Sequence, residues 1–318
     1  MKTLTTCFLF LSFISIQAQK YAEIDKSALQ HNYSTDYKTL ANDLASPYKD
    51  QESKARAIFT WLAKNISYDM AKKEVFVEKR NGRRERITAD SQEELEQIKA
   101  NRITDAINTT LKKKKGVCQD YAWIFQAMLQ QIGIETEFIS GFARFSPNNI
   151  GKVHKRGNHA WNAAKIDDEW ALFDVTWSTG MGQNQNLGDG FFMIDPETFI
   201  MSHHPTDPQW QLLDTPLDAS AFSKLPFMHA SYLSNNVIRF SPSGGKISRK
   251  ESFSIEVELS PNQELILFKG KKRSPSAFTK EGNVYTIDFS KTKIRGEVHV
   301  SILENRKISP LLTYKVTN

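Results

Sequence analysis

Between Gln51 and Trp177 the apolar residues change period once, from helical to strand-like. Ile58, Trp61, Leu62 and Ile66 recur at helical spacing, so residues 51–67 read as an amphipathic helix with one buried stripe. Residues 71–100 are charge-rich and broken by Asn81-Gly82; they read as an exposed excursion ending in a short surface helix from Ser91 to Ala100. Ile103 to Leu111 resumes a helical pattern. Cys118, Ala122, Phe125, Leu129 and Ile132 then share one face of a strongly patterned helix that Gly133 stops. Three strand candidates follow at Thr136–Phe145, Ala160–Ile166 and Glu169–Trp177, the last two joined as a hairpin at Asp167-Asp168. Helices first and antiparallel strands afterwards exclude an alternating parallel sheet and predict an α+β fold.

Beyond Trp177 the texture changes twice. Residues 178–190 are rich in Gly, Asn and Gln and read as a loop, and prolines from Pro196 to Pro226 mark an irregular stretch over residues 195–228. From about residue 230 six short strand candidates lie close together: Asn236–Phe240, Ser252–Leu259, Glu264–Lys269, Val284–Phe289, Gly296–Leu303 and Leu311–Val316. Turn signals at Ser243-Gly244-Gly245 and Glu281-Gly282-Asn283 separate them, which predicts a small β-sandwich. The expected organisation is a helix-and-sheet domain over 19–229 and a β-rich domain over 230–318.

A hydrophobic content of 40% with 11% aromatics excludes wholesale disorder, and two cysteines exclude a disulfide scaffold or a Cys-rich metal cluster. Residues 1–18 have the form of a signal peptide. Lys2 supplies the positive start, Phe8 to Ile16 the uncharged apolar run, and Ala18 the small residue for cleavage. That run is well short of the ~20 residues a spanning helix needs. The expectation is therefore a secreted or periplasmic protein with no membrane span, in which removal of the leader takes Cys7 and leaves Cys118 as the sole thiol. The net charge of +6 comes without aromatics interleaved among the basic residues and without a nucleic-acid-binding motif, so no nucleic-acid partner is expected.

A catalytic thiol needs a helix start or cation to favour the thiolate, a base to take its proton, and a group to orient that base. Gly116-Val117-Cys118 sets the sulfur in the first turn of its helix, where the dipole and the N–H groups favour negative charge. His159 opens one strand of the expected hairpin and Asp174 lies near the end of the other. Pairing about a turn centred between residues 166 and 167 brings the two side by side, as a base and its orienting carboxylate. The competing readings are a buried structural cysteine, an ordinary histidine, and a metal site drawn from His154, His159, His203 and His204. No HExxH, phosphate-binding glycine loop or GxSxG elbow accompanies them, so neither a metal nor a cofactor is expected.

Gly116-Val117-Cys118-Gln119-Asp120-Tyr121-Ala122, Gly133-Ile134, His159-Ala160-Trp161, Trp170 and Phe173-Asp174-Val175-Thr176-Trp177 together resemble the core of the transglutaminase-like superfamily. Phe192 to Pro196 and His204-Pro205 through Leu213 are similar to the extension of its kyphoscoliosis-peptidase-like members. The resemblance covers about residues 54–228. It implies a papain-like α+β core with Cys118 as nucleophile, His159 as base and acid, and Asp174 as orienting carboxylate, and no calcium control. The family includes peptidases, amidases, crosslinkers and catalytically silent members, so three functions stand open. They are hydrolysis of peptide or amide bonds, transamidation of protein glutamine, and a binding or scaffold role. A protein or peptide substrate is the expected partner, with an envelope or protein partner for the β-rich end. A sulfur walled in by aliphatic groups would favour the scaffold.

Overall fold

The computed structural model describes residues 19–71, 79–80, 83–84, 91–179, 190–270, 272–274 and 278–318. The signal-peptide segment, most of the excursion at 71–90 and the loop at 178–190 lie largely or wholly outside the described residues. Contacts divide the chain into two units: residues up to Ile139 with Ala160–Thr179, and Ser140–His159 with the chain from Gly180 onward. The divisions fall inside two strands, β1 (Thr136–Ala143) and β2 (His159–Ile166).

In the first unit, a helix over residues 19–30 (α1) is followed by α2 (Tyr37–Ala45) and α3 (Gln51–Asn65). Asp50 caps α3 by accepting the Ser53 N–H at 2.8 Å. The predicted stripe is real: Ile58, Trp61, Leu62 and Ile66 are all buried. Arg56 is buried on the same helix and donates two bonds to Asp25, at 2.8 and 2.5 Å, while the Thr60 hydroxyl reaches the same carboxylate at 2.6 Å. The chain next forms one helix, α4 (Gln92–Lys113), where the sequence suggested two. Nothing between Ala100 and Ile103 breaks a helix, so the surface segment and the apolar one run together; Ser91 caps the start and left-handed Lys114 ends it.

Helix α5 (Cys118–Gln131) is the predicted central helix, stopped at Gly133 with φ of +80°. Phe59 of α3, Phe125 of α5 and Phe173 of the hairpin meet with ring centroids 5.4 to 6.4 Å apart, joining the helices to the sheet. The hairpin pairs β2 with β3 (Glu169–Phe173) antiparallel, Asn162 opposite Phe173 and Ile166 opposite Glu169. Asp167 and Asp168 both have positive φ, the backbone a two-residue hairpin turn requires. The expected strand Glu169–Trp177 is shorter than its apolar run. Asp174 accepts the Trp177 N–H at 2.9 Å and starts a helical turn, α6 (Val175–Ser178), because an aspartate offers the backbone a capping bond that competes with the ladder.

The second unit holds β4 (Phe192–Ile194), α7 (Pro196–Phe199) and β5 (His203–Pro205), so the proline-punctuated stretch is more regular than its composition suggests. Strand β5 pairs antiparallel with Gly141–Ala143 of β1. Two sheets follow. One joins β6 (Phe227–Met228), β8 (Lys246–Ser248), β10 (Gln263–Lys269), β11 (Lys272–Ser274), β14 (Gly296–Glu304) and β15 (Lys307–Thr317). The other runs in the order β7 (Val237–Ser241), β9 (Ser252–Val257), β13 (Val284–Asp288), β12 (Thr279–Glu281). Phe253, Ile255 and Val257 from one sheet and Val298, Val300 and Ile302 from the other share a single buried cluster, which makes the region a β-sandwich.

Two outcomes follow from these packings. Asp25→Ala, which leaves the buried Arg56 guanidinium without its carboxylate, lowers the unfolding free energy by about 3 kcal/mol in a denaturant titration. His229, whose Nε2 lies 2.7 Å from the Thr313 hydroxyl, has its pKa pushed down to about 4 by burial, with His299 adding to the effect. An unfolded histidine takes its proton near pH 6.5, so acidification from about 6.5 toward 4 favours the unfolded state and stability is level above that window. The melting temperature falls across that range, and His229→Gln removes this contribution to the slope.

Candidate active site

Cys118 is the first residue of α5, and its position depends on a tight approach just before it. A Cβ on Gly116 would stand 2.8 Å from Thr110 Cγ2 and 2.9 Å from Asp120 Cβ, so only glycine fits between α4 and α5. The Val117 N–H donates to the Asp120 carboxylate at 2.8 Å, and the Val117 carbonyl receives the Asp120 and Tyr121 N–H groups. Asp120 thus does the N-terminal half of a capping box although position 117 has no side-chain cap. Tyr121 ties the same turn to the end of α3 by donating to the Ile66 carbonyl at 2.5 Å.

The thiol is free of any disulfide and fully buried. Ala122 and Ala160 pack on it, with the partly buried Phe138 alongside. Ala160 is held there by its strand: the Asn162 amide donates to the Ala122 carbonyl of α5 and to the Glu137 carbonyl of β1, both at 3.1 Å. Asp174 is also fully buried, at the start of the α6 turn, which packs against α5 and α3. The hairpin register sets Phe173 opposite Asn162, two positions off the pairing the sequence suggested. One step further along that register is Trp161, so Asp174 follows the strand opposite Trp161 and not opposite His159. Strand β3 ends one residue before Asp174, where the cap takes over.

In the second unit, His159 is buried and opens β2. The preceding residue anchors it: Asn158 accepts the Ala143 N–H at 2.7 Å, donates to the Ala143 carbonyl at 3.0 Å, and sends its own N–H to the Gly141 carbonyl at 2.8 Å. A Cβ on Gly157 would meet that same carbonyl oxygen at 2.8 Å. The His159 ring lies 5.4 Å from the ring of His203 and 6.0 Å, edge-on, from that of Phe145. His203 is itself fully buried, stacked 4.0 Å from Phe199, with Nδ1 2.7 Å from the Ser202 hydroxyl. His154 and His204 form a separate pair, 4.9 Å between ring centroids and against Phe222. Burial lowers the pKa of both; His204 and Arg144 lower that of His154 further, while the bond to the Leu217 carbonyl and nearby Asp218 oppose the lowering at His204. Trp161 and Trp177 are buried.

Sequence reasoning missed Asn158, Asn162 and Asp120, whose amides and carboxylate lock the backbone around Cys118 and His159. Polar residues flanking an apolar strand were the available signal. No helix among the described residues is long and apolar enough to cross a membrane.

Residues 38–175 match the model of the transglutaminase-like superfamily, and the chain carries a domain of that superfamily. It is similar to the kyphoscoliosis peptidase of Homo sapiens, 24% identical over 272 residues that cover 82% of this chain and 37% of that protein. The Lim and transglutaminase domain protein ltd-1 of Caenorhabditis elegans is 25% identical over 171 residues, 47% of this chain and 24% of its own length. The solved structure of a TGase is 12% identical over 53% of this chain and 37% of that one, with a TM-score of 0.27. The chain spans 37% of the length of the first curated relatives it matches.

The close approach at the start of α5 is testable. Gly116→Ala forces either α4 or the Asp120 turn to move, at a cost of about 1–3 kcal/mol, read as a lower midpoint in urea unfolding.

Proposed function

We propose that this chain is an exported thiol enzyme that hydrolyses peptide or amide bonds through Cys118, His159 and Asp174. The observation that carries the reading is the packing of Ala160 on Cys118, because His159 immediately precedes Ala160 in the same strand. Asp174 supports it from the partner strand. It follows β3 at the register position opposite Trp161, two residues along β2 from His159. Its helix cap uses Oδ1.

In this reading the Cys118 sulfur attacks the carbonyl carbon and its proton passes to His159. The imidazolium then gives that proton to the departing amine as the C–N bond breaks, leaving a thioester. Water, deprotonated by His159, adds to the thioester carbonyl and expels the thiolate, releasing a carboxylic acid. If a lysine amine takes the place of water the same intermediate yields an isopeptide bond, which is the transamidation alternative. The substrate class, a protein or peptide, rests on the superfamily, and export rests on the form of residues 1–18.

One observation favours a second reading. Cys118 is fully buried beside two alanines and a phenylalanine, an environment that also suits a silent structural thiol in a binding or scaffold protein.

Intact-mass measurement after incubation with a thiol-directed acyl donor separates the two. The enzyme gains one acyl group, lost in Cys118→Ala; a scaffold gains none. Asp174→Asn keeps the cap acceptor for the Trp177 N–H while removing the charge. It lowers the acylation rate about 10²–10⁴-fold with little change in melting temperature, and His159→Ala lowers it at least as much. Ammonia release that rises with added primary amine identifies the transamidase.

A further inference from the structure

A groove of about 670 Å³ is lined wholly by residues of the second unit, and neither Cys118 nor Asp174 is among them. It is lined in part by β7, which among the described residues is the outermost strand of its sheet and pairs with β9 alone. Its Ile238 is 54% exposed, an unusual place for a large aliphatic residue on a sheet edge unless something covers it. Phe240 and Val237 of the same strand line the groove and are half-buried. The floor is apolar, with Ile200 and Met201 buried beneath Leu217 and Leu225.

The same lining is acidic as well. Asp195, Glu197 and Asp214 are all exposed there. No ion pair among the described residues involves any of the three; Asp195 caps α7 by accepting the Thr198 N–H at 2.8 Å. The single cation in the lining, Arg239, donates to Glu256 at 2.6 Å and is neutralised by it. A chain with a net charge of +6 therefore presents three unneutralised carboxylates in the same groove as a sheet edge.

We propose that this groove docks an extended, lysine- or arginine-containing segment of a partner protein as an added strand along β7. Backbone N–H and C=O groups of β7 would pair with the incoming strand, alternate side chains would enter the apolar floor, and the basic ones would face Asp195, Glu197 and Asp214. Recognition is by chain extension and charge, and does not involve Cys118.

The test is fluorescence anisotropy of the full chain with a labelled, end-capped peptide of about ten residues alternating lysine and valine. Binding is expected, weakening as salt rises. The glutamate–valine peptide and a lysine–valine peptide methylated on alternate backbone nitrogens are expected to bind at least about tenfold more weakly. D195N/E197Q/D214N, which keeps the α7 cap acceptor, weakens the lysine peptide about tenfold at low salt with an unchanged melting temperature, whereas Cys118→Ala leaves it alone. The proposal is overturned if the lysine peptide does not bind, if the glutamate or methylated peptide binds as well, or if the triple variant binds unchanged. Sedimentation showing that β7 is covered by a second copy, with no peptide able to displace it, overturns it too.

Discussion

The bonds from Asn162 fix strand β2 against both α5 and β1 in the first unit. One amide group reaches a carbonyl of α5 and a carbonyl of β1 at once, so strand β2 cannot slide along the helix without losing both. A buried amide deprived of those partners would cost more than the bonds are worth when made. With Asn162 in place, Ala160 is brought against Cys118 and the hairpin register carries Asp174 to the start of α6 beside the same helix. The small side chain at 160 matters because a larger one would push the strand off the first turn of α5.

Backbone positioning by side-chain amides recurs in the second unit. Asn158 makes three bonds to the end of β1, and Gly157 leaves room for a carbonyl that any Cβ would displace. His159 is thus the end of a clamped segment, with no flexible loop residue next to it. Rigid placement of an imidazole lowers the reorganisation needed for proton transfer, and it equally suits a histidine whose role is packing. The sandwich is built on another principle, a continuous apolar layer between two sheets, and it keeps one polar network in that layer: His229, His299 and Thr313. Burial holds His229 neutral, so the region loses stability on acidification.

How much was legible before the fold was known can be judged residue by residue. The α3 stripe, the α5 face, the Gly133 stop and the Asp167-Asp168 turn were all readable, because each is set by a local period or by a backbone conformation that few residues adopt. The strand through Trp177 was misread, since an apolar run looks the same whether it continues a ladder or turns at an aspartate cap. The two-residue error in register came from the same place: the turn's centre lies between Asp167 and Asp168, and a local sequence pattern does not say which residues the turn consumes. Asn158, Asn162 and Asp120 were passed over because an amide or carboxylate bonding to a distant backbone has no signature along the chain.

The sequence by itself determined the order of helices and strands, the superfamily of the core, and which three side chains have the types an acyl-transfer triad requires. Those are properties of local periodicity and residue chemistry. Only the tertiary structure decided that Ala122, Ala160 and Phe138 pack on Cys118, that Asp174 caps a helical turn, and that three carboxylates line the same groove as the edge strand β7. Burial, register and edge exposure depend on which distant segments meet. The pairing energies that settle them are spread over many residues that are not neighbours along the chain.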